Sequence, residues 1–331
     1  MATKNYRIEK DSLGEVKVPK KALWGAQTQM AVDNFPISGI KMDFPFTKSF
    51  ITSLGLIKDA AARANLRLKL LPANKARAIS RAAKEVWKEK HHDQFPIDVF
   101  QTGSGTSSNM NANEVIANLA SKNSKLNIGP NDDVNMSQSS NDVIPTAIKI
   151  SAHIDLTKKL FPALDKLINE IQKKAKSLKG ITKTGRTHLM DAMPIDFSDE
   201  LLAWSSQLSA CRNMLEVIEE RFLELPQGGT AVGSGINAHK QFAKFFAQEM
   251  SKILETKRKY IPSNNFFHEL SAQDCSVQLS GELKNLAVIL MKISNDLRWM
   301  NSGPLAGLSE IELQALQPGS SIMPGKVNPV I

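Results

Sequence analysis

An apolar seam with alternating steps of four and three residues constrains the fold of this chain more than any other feature. The seam runs over about four heptads, at Phe197, Leu201, Trp204, Leu208, Cys211, Leu215, Ile218, Phe222 and Leu225. That spacing predicts a long helix that buries one stripe against neighbouring helices. Because a helix of about 30 residues spans about 45 Å, the pattern predicts an elongated helical bundle.

A second seam predicts another long helix of the same bundle. Its positions are Leu279, Leu283, Leu286, Leu290, Ile293 and Leu297. Further apolar residues lie outside it, at Val277, Val288, Ile289 and Met291. A helix that is apolar on more than one face is buried on more than one side. We therefore expect other subunits to cover the additional faces, although one large monomeric bundle also satisfies the pattern.

The rest of the chain is also typical of a mainly α-helical protein. Residues 47–90 predict two helices separated near Pro72, because proline stops the first. Another long helical pattern begins near Val143, contains Pro162 as the expected kink and ends at Gly180. Glycine and proline break residues 1–45, which we expect to be irregular. Alternating strand patterns are scarce, which argues against a doubly wound sheet.

Charge and cysteine content bear on partners and location. The formal charge is +9, and much of the excess lies between Lys58 and Lys90 at the spacing of a solvated helix face, without interleaved aromatic residues. We therefore expect no nucleic-acid partner.

No apolar run approaches the ~20 residues that span a bilayer, so we expect no membrane partner. Cys211 and Cys275 have no paired spacing, and the N-terminus resembles neither a signal nor a transit peptide, which favours a cytoplasmic setting.

Four loops rich in hydroxyl and carboxamide side chains interrupt the helical frame. They cover residues 101–114, 131–142, 184–191 and 317–329. Taken singly, such loops are more often helix caps or surface turns. Together they contain one histidine, His188, one well-placed lysine, Lys326, and several neutral donors. These groups suit a small carboxylate better than a metal or a redox cofactor, because a carboxylate needs several hydrogen bonds and a compensating charge.

The last loop has the most unusual composition. Its glycines and prolines exclude a helix, so it is a shaped loop that presents Ser320, Ser321, Lys326 and Asn328 together.

The four loops resemble the signature regions of the fumarase/aspartase superfamily, and in particular of its class II fumarate hydratase branch. The matching segments are Gly103-Ser104-Gly105-Thr106, Ser137-Gln138-Ser139-Ser140-Asn141-Asp142, Gly185-Arg186-Thr187-His188 and the final segment from Gly319 to Pro329. The resemblance covers essentially the whole chain. It implies a mainly α-helical fold, with residues 1–140 as a mostly helical N-terminal domain and residues 141–331 as a central long-helix bundle domain. It also implies a homotetramer in which each active site draws loops from three subunits.

The resemblance further implies reversible anti elimination of water from L-malate to give fumarate, a tricarboxylic acid cycle reaction, without metal or organic cofactor. Ser320 is then the catalytic base, and His188 relays a proton to the leaving water. A serine is a poor base unless its alkoxide is stabilised, which the amides of the Gly-Ser-Ser turn and Lys326 can do. The implied substrate-binding residues are Ser104, Thr106, Ser139, Ser140, Asn141, Thr187, Lys326 and Asn328. Ser139 is equally suited to capping a helix.

The sequence departs from the family pattern in two places. Gly129 stands where class II fumarate hydratases commonly have histidine, so we expect a peripheral dicarboxylate site beside Asn131 and Asp132 to be weak or absent. Family members also continue beyond the position of Ile331, with a small C-terminal domain and a glutamate that orients the catalytic histidine. We expect this chain to lack that part, and an inactive fragment is one alternative.

Other functions fit the sequence less well. Aspartate ammonia-lyases share the fold and the final loop, but typically carry glutamine at the position of His188 and threonine at that of Ser140. Val330, where well-known fumarate hydratases often have threonine, keeps this alternative open. Argininosuccinate and adenylosuccinate lyases match the same two loops less well. A structural or interaction role for an inactive lyase scaffold is the alternative of another class, against which the intact Ser320, Lys326 and His188 argue.

Overall fold

Helices dominate the chain, which confirms the predicted mainly α-helical class. The structure is a computed structural model that describes residues 5–11, 14–43, 48–323 and 325–331. Its helices are α1 (Ala26–Asn34), α2 (Lys48–Arg67), α3 (Ala73–Trp87), α4 (Thr106–Ser124), α5 (Ser140–Asp155), α6 (Phe161–Ser177), α7 (Phe197–Arg221), α8 (Phe242–Ile253), α9 (Phe266–Ser271) and α10 (Asp274–Met300). Among these described helices, none is long and apolar enough to cross a membrane.

The strands are short and pair two by two. They are β1 (Tyr6–Asp11), β2 (Gly14–Pro19), β3 (Thr182–Thr187), β4 (Met190–Asp196), β5 (Glu224–Leu225) and β6 (Ile261–Pro262). The pairs β1–β2 and β3–β4 are antiparallel, whereas β5–β6 is parallel. The prediction that residues 1–45 are irregular is therefore wrong, because the first hairpin and α1 lie there. The guanidinium of Arg7 stabilises this region, since it donates to the carbonyl oxygens of Pro19, Ala22 and Trp24 at 2.9, 2.7 and 2.6 Å.

The described residues divide into two units, each made of two separate stretches of chain. Unit 1 consists of the described residues within Met1–Leu160 and Ile218–Ser276, and unit 2 of those within Phe161–Val217 and Val277–Ile331. The division expected at residues 140 and 141 concerns contiguous domains and stays a prediction.

Unit 1 is built around α2. This helix packs against α3, α5 and α8, and its residues Leu54, Ile57 and Ala61 are fully buried. A Cβ atom on Gly55 would lie 2.9 Å from the backbone nitrogen of Trp87, so glycine permits the close approach of α2 and α3. The two helices predicted for residues 47–90 are confirmed, and Pro72 directly precedes α3.

Unit 2 contains antiparallel helices. Trp204 Nε1 of α7 donates to Asp296 of α10 at 3.1 Å, and Gln172 of α6 donates to Ser205 of α7 at 2.9 Å. The long helix predicted for the first seam is confirmed from Phe197 to Ile218, and the last two seam residues, Phe222 and Leu225, are buried but lie beyond the end of α7.

The second seam is only partly covered in the single chain. Leu286 and Ile293 are buried, whereas Leu283 and Leu290 are exposed. Outside the seam, Val277, Val288 and Met291 are exposed as well. The cover that we expect from other subunits stays a prediction.

The kink expected at Pro162 takes the form of a π-helical turn. The turn covers Leu156–Leu160 and joins α5 to α6, so it ends just before Phe161 and Pro162. Proline has no N–H to donate to the preceding turn, and a wider turn there accommodates its ring.

Candidate active site

The first group of predicted site residues lies at the start of α4 in unit 1. Ser104 and Thr106 flank Gly105, and their hydroxyl oxygens lie 2.9 Å apart. Gly105 has a φ of 67°, and a Cβ atom there would lie 2.9 Å from Cγ1 of Ile144. Glycine is therefore required at this position, both for the backbone conformation and for the close approach of α4 to the first turns of α5.

Ser139, Ser140 and Asn141 lie at the start of α5. Ser139 caps the helix, because its Oγ accepts from the backbone nitrogen of Asn141 at 3.3 Å and its own nitrogen donates to Asp142 at 2.9 Å. Ser140 Oγ accepts from Asn109 Nδ2 of α4 at 2.8 Å. Asn141 is exposed, and its Nδ2 donates to the carbonyl oxygen of Ala231 at 2.7 Å. The cap is the described role of Ser139, and its assignment to substrate stays a prediction.

Asp142 fixes this helix start to a glycine-rich loop. Its fully buried carboxylate accepts from the backbone nitrogens of Gly228 and Thr230 at 3.0 and 2.9 Å. Burial raises the pKa of Asp142 to about 6, although the backbone donors favour the charged form. Gly228 has a φ of 110°, and a Cβ atom there would lie 2.6 Å from Cβ of Ala243, so the loop needs glycine.

The starts of α4 and α5 are therefore neighbours in unit 1. Their first turns have backbone N–H groups without intrahelical partners, and each helix dipole places partial positive charge there. Hydroxyl groups of Ser104, Thr106 and Ser140 lie at the same two starts. This arrangement suits the oxygens of a small anion.

Thr187 and His188 lie at the tip of the β3–β4 hairpin in unit 2. The predicted polar loop at residues 184–191 is thus the end of two paired strands, in which Thr187 pairs with Met190. The two turn residues, His188 and Leu189, have φ values of 51° and 64°. Such values cost side chains other than glycine roughly 1–2 kcal/mol each, and strain of this kind recurs at functional sites. His188 is exposed and has no hydrogen-bond partner among the residues described.

Glu310 anchors this hairpin. Its carboxylate contacts Arg186 at 2.7 Å and Lys183 at 3.0 Å, and Lys183 also pairs with Glu200. Burial favours the neutral carboxyl, but hydrogen bonds from Arg186 and Lys183 outweigh it and lower the pKa of Glu310. Nothing in the sequence singles out Glu310, because its partners lie more than a hundred residues earlier in the chain.

The segment from residue 317 to 329 is a loop closed at its base, and its described residues contain no helix, as predicted; Pro324 lies outside them. Pro318 bridges to Val327, and the nitrogen of Gly319 donates to the carbonyl oxygen of Lys326 at 2.8 Å. Asn328 Nδ2 donates to the carbonyl oxygen of Gly319 at 3.4 Å. A Cβ atom on Gly319 would lie 2.7 Å from that oxygen of Lys326, so glycine allows the closure. The closed base places Gly319, the residue before Ser320, in contact with Lys326 and Asn328.

The proposed peripheral site falls on a short π-helical turn, Pro130–Val134. Asn131 and Asp132 are exposed there, whereas Asp133 accepts from the nitrogen of Gly129 at 2.8 Å and pairs with Lys75 at 2.8 Å. The absence or weakness of this site stays a prediction. In the described part of the chain, no group of three His, Cys, Asp or Glu side chains has the arrangement of a metal site.

The fold and the polar side chains of these loops are typical of a lyase. A family model described as "Lyase" matches residues 14–331, and the chain belongs to this family. Within it, the chain belongs to the class II fumarate hydratases. It is 55% identical to "Fumarate hydratase class II" of Xylella fastidiosa strain Temecula1, over 98% of this chain and 68% of the relative. It is 51% identical to the protein of the same name from Mycobacterium tuberculosis strain H37Rv, over 99% of this chain and 68% of the relative.

Solved structures share the fold. The recombinant class II fumarase of Schistosoma mansoni superposes with a TM-score of 0.93 at 37% identity, over 98% of this chain and 71% of that chain. A protein of Brucella melitensis described as fumarate lyase:delta crystallin, bound to cobalt, has a TM-score of 0.92 at 42% identity, over 98% of this chain and 71% of that chain. These likenesses agree with the resemblance of the four loops.

Proposed function

We propose that this chain interconverts L-malate and fumarate by reversible anti elimination of water. The observation that carries the proposal is the loop closed between Gly319 and Lys326. It holds Ser320 next to a glycine, together with Lys326, which has no charged partner among the residues described. The class II fumarate hydratase relatives support the choice of substrate. His188 and Ser140 favour water over ammonia as the leaving group, as the family pattern implies.

The difficult step is removal of a proton beside a carboxylate. The resulting carbanion is stabilised as an aci-carboxylate that carries additional negative charge. In this proposal Ser320 removes the proton, while Lys326 and Asn328 bind the carboxylate on which charge accumulates. Donors fixed before the reaction stabilise that charge without reorganisation, and the closed base of the loop fixes Asn328 in this way.

The remaining polar residues bind the substrate and handle the leaving water. Ser104, Thr106, Ser140 and Asn141 bind carboxylate and hydroxyl oxygens at the starts of α4 and α5, and Ser139 holds that start in place. Thr187 binds beside His188, which passes a proton to the leaving hydroxyl. His188 is exposed at a hairpin tip and has no hydrogen-bond partner among the residues described, which supports this role.

We further propose that the chain works as a homotetramer whose active sites each use residues of three subunits. The exposed apolar positions of α10, including Val277, Val288 and Met291, support an assembly that covers this helix. A cytoplasmic location fits the two cysteines, which are free and buried.

The proposal is tested with Ser320→Ala and Ser321→Ala as a matched pair. Both remove one hydroxyl from the same turn, but only Ser320 is assigned as the base. Formation of fumarate from L-malate, followed by the absorbance of its double bond, should be lost in Ser320→Ala and kept within a few-fold in Ser321→Ala. Turnover by Ser320→Ala at the rate of the unchanged chain would remove Ser320 as the base.

A further inference from the structure

Lys58 is fully buried, although the charge pattern predicts a solvated helix face for this part of α2. Its ammonium group donates to three carboxamide oxygens: Asn109 Oδ1 at 2.7 Å, Asn135 Oδ1 at 2.9 Å and Gln138 Oε1 at 3.0 Å. An ammonium has three donors and no acceptor, so these contacts use its full hydrogen-bonding capacity. Burial lowers the pKa of Lys58 to about 7, while the charge of Asp142 opposes the shift. The three oxygen acceptors favour the ammonium form, because only that form has three protons to donate.

The ammonium fixes which way each carboxamide faces. An amide can present oxygen or nitrogen in nearly the same shape, but only its oxygen can accept from Lys58. The nitrogen of Asn109 is therefore directed to the other side, where Nδ2 donates to Ser140 Oγ at 2.8 Å. The nitrogens of Asn135 and Gln138 likewise donate away from Lys58, to the carbonyl oxygens of Gln138 and Val134 at 3.2 and 3.0 Å.

The direction of this chain of hydrogen bonds determines what Ser140 can do. A hydroxyl has one proton and two lone pairs. Because Asn109 donates to Ser140 Oγ, the oxygen is already an acceptor and its proton remains available. The Ser140 hydroxyl is thus arranged to donate to an oxygen of a ligand at the start of α5, where the helix dipole also favours negative charge.

We propose that Lys58 is a positioning residue that, through Asn109, sets the Ser140 hydroxyl as a hydrogen-bond donor to a carboxylate oxygen of the dicarboxylate. The inference rests on the proposed function for the identity of the ligand. It assigns a specificity role to a lysine that does not touch substrate. It also gives a role to the polar side chains that connect α2, α4, the segment 135–138 and α5.

Asn109→Asp tests the direction of the relay directly. The change keeps an oxygen toward Lys58 and even adds a charge partner for it, so a purely structural network tolerates the change. The second oxygen of aspartate, however, accepts the Ser140 proton instead of donating to Oγ. Asn123→Asp, at an exposed position of the same helix, is the control for one added negative charge. Lys58→Met removes the ammonium itself and is a companion variant. If it fails to fold, the test still stands on Asn109→Asp and Ser140→Ala.

The measurement is the dissociation constant of succinate, an unreactive dicarboxylate, by titration calorimetry on the full chain, with malate turnover in parallel. We expect Ser140→Ala and Asn109→Asp each to weaken succinate binding about tenfold or more, since each removes one hydrogen bond to a charged oxygen. In the double variant the loss should equal that of Ser140→Ala alone, because both changes remove the same contact. Asn123→Asp should bind as the unchanged chain does.

Losses that multiply in the double variant would overturn the inference, because they would show that Asn109→Asp acts by repulsion or unfolding and not through Ser140. Succinate binding that is unchanged in Asn109→Asp, or missing in the unchanged chain, would overturn it as well. If the binding cycle is non-additive but malate is not converted, the proposed reaction fails while the role of Lys58 and Asn109 in carboxylate binding stands.

Discussion

Replacing Glu310 by glutamine should loosen the hairpin that presents His188. The carboxylate of Glu310 pairs with Arg186 at 2.7 Å and with Lys183 at 3.0 Å, and the side chains of Glu310, Lys183 and Arg186 are 11%, 8% and 21% exposed. A hydrogen bond to a charged group contributes about 1.5–3 kcal/mol, and glutamine keeps one acceptor oxygen for one of the two cations. Lys183 retains Glu200, so the principal loss is the pair with Arg186. We expect the variant to destabilise the hairpin by about 2 kcal/mol.

Amide hydrogen exchange measures this loss where it occurs. Since 1.4 kcal/mol corresponds to a factor of ten, about 2 kcal/mol makes local opening roughly 30 times more frequent. The amides of β3 and β4 should lose protection by about that factor, whereas those of α4 and α5 in unit 1 should be unchanged. Glu312→Gln is the control, because Glu312 is exposed and has no charged partner within the described part of the chain.

Two results would refute this reasoning. Unchanged protection of β3 and β4 in Glu310→Gln would show that the ion pairs do not hold the hairpin. An equal loss of protection in every helix would show that the change acts on the stability of the whole chain. If the hairpin opens as expected, malate turnover should also fall, because His188 is held at its tip.

Two further predictions concern stability. Leu208→Ala removes a fully buried side chain from the first seam, and we expect it to lower the free energy of unfolding, measured by urea titration, by about 2–5 kcal/mol. Leu202→Ala, on the exposed face of the same helix, should change it by less than about 1 kcal/mol. Equal losses in the two variants would contradict the burial pattern. Burial of Asp98 opposes its charge, but hydrogen bonds from Phe100, Ser38 and Gly39 lower its pKa from 3.8 to about 2. The advantage of the unchanged chain over Asp98→Asn should therefore be complete above pH 3.8 and disappear as the pH falls toward 2; an advantage that grows in acid would reverse the assigned sign.

The long helices could be predicted from the sequence, because their apolar residues recur at the spacing of one helix face. The steps of the seam from Phe197 to Ile218 place its residues on one face of α7, and every position there is buried; Phe222 and Leu225 continue the spacing beyond the end of the helix. The loop at residues 317–329 was equally accessible, because proline and glycine exclude a helix wherever they are dense.

The hairpins were not accessible, because distant contacts hold them. Strand β3 is polar and β4 has no regular alternation, and their anchor Glu310 comes from a segment far along the chain. The β1–β2 hairpin likewise depends on Arg7 and the carbonyl of Trp24. Propensity is a weak guide where tertiary contacts decide.

The burial of Lys58 could not be predicted from the sequence for a related reason. The periodic pattern places lysines and arginines of α2 and α3 on a solvated face, and a buried ammonium becomes tolerable only because three carboxamides from other segments accept from it. The pattern of residues along one helix contains no information about those partners. The candidate site was therefore predictable as a set of loops, but not as an oriented network.

Elimination of water from L-malate by this chain is tested most directly by a comparison of two substrates. Purified protein should receive L-malate and L-aspartate in parallel, and fumarate formation should be followed by its double-bond absorbance. We predict fumarate from L-malate, loss of the signal in Ser320→Ala, and no fumarate from L-aspartate. Fumarate from L-aspartate alone would contradict the claim and identify an ammonia-lyase instead.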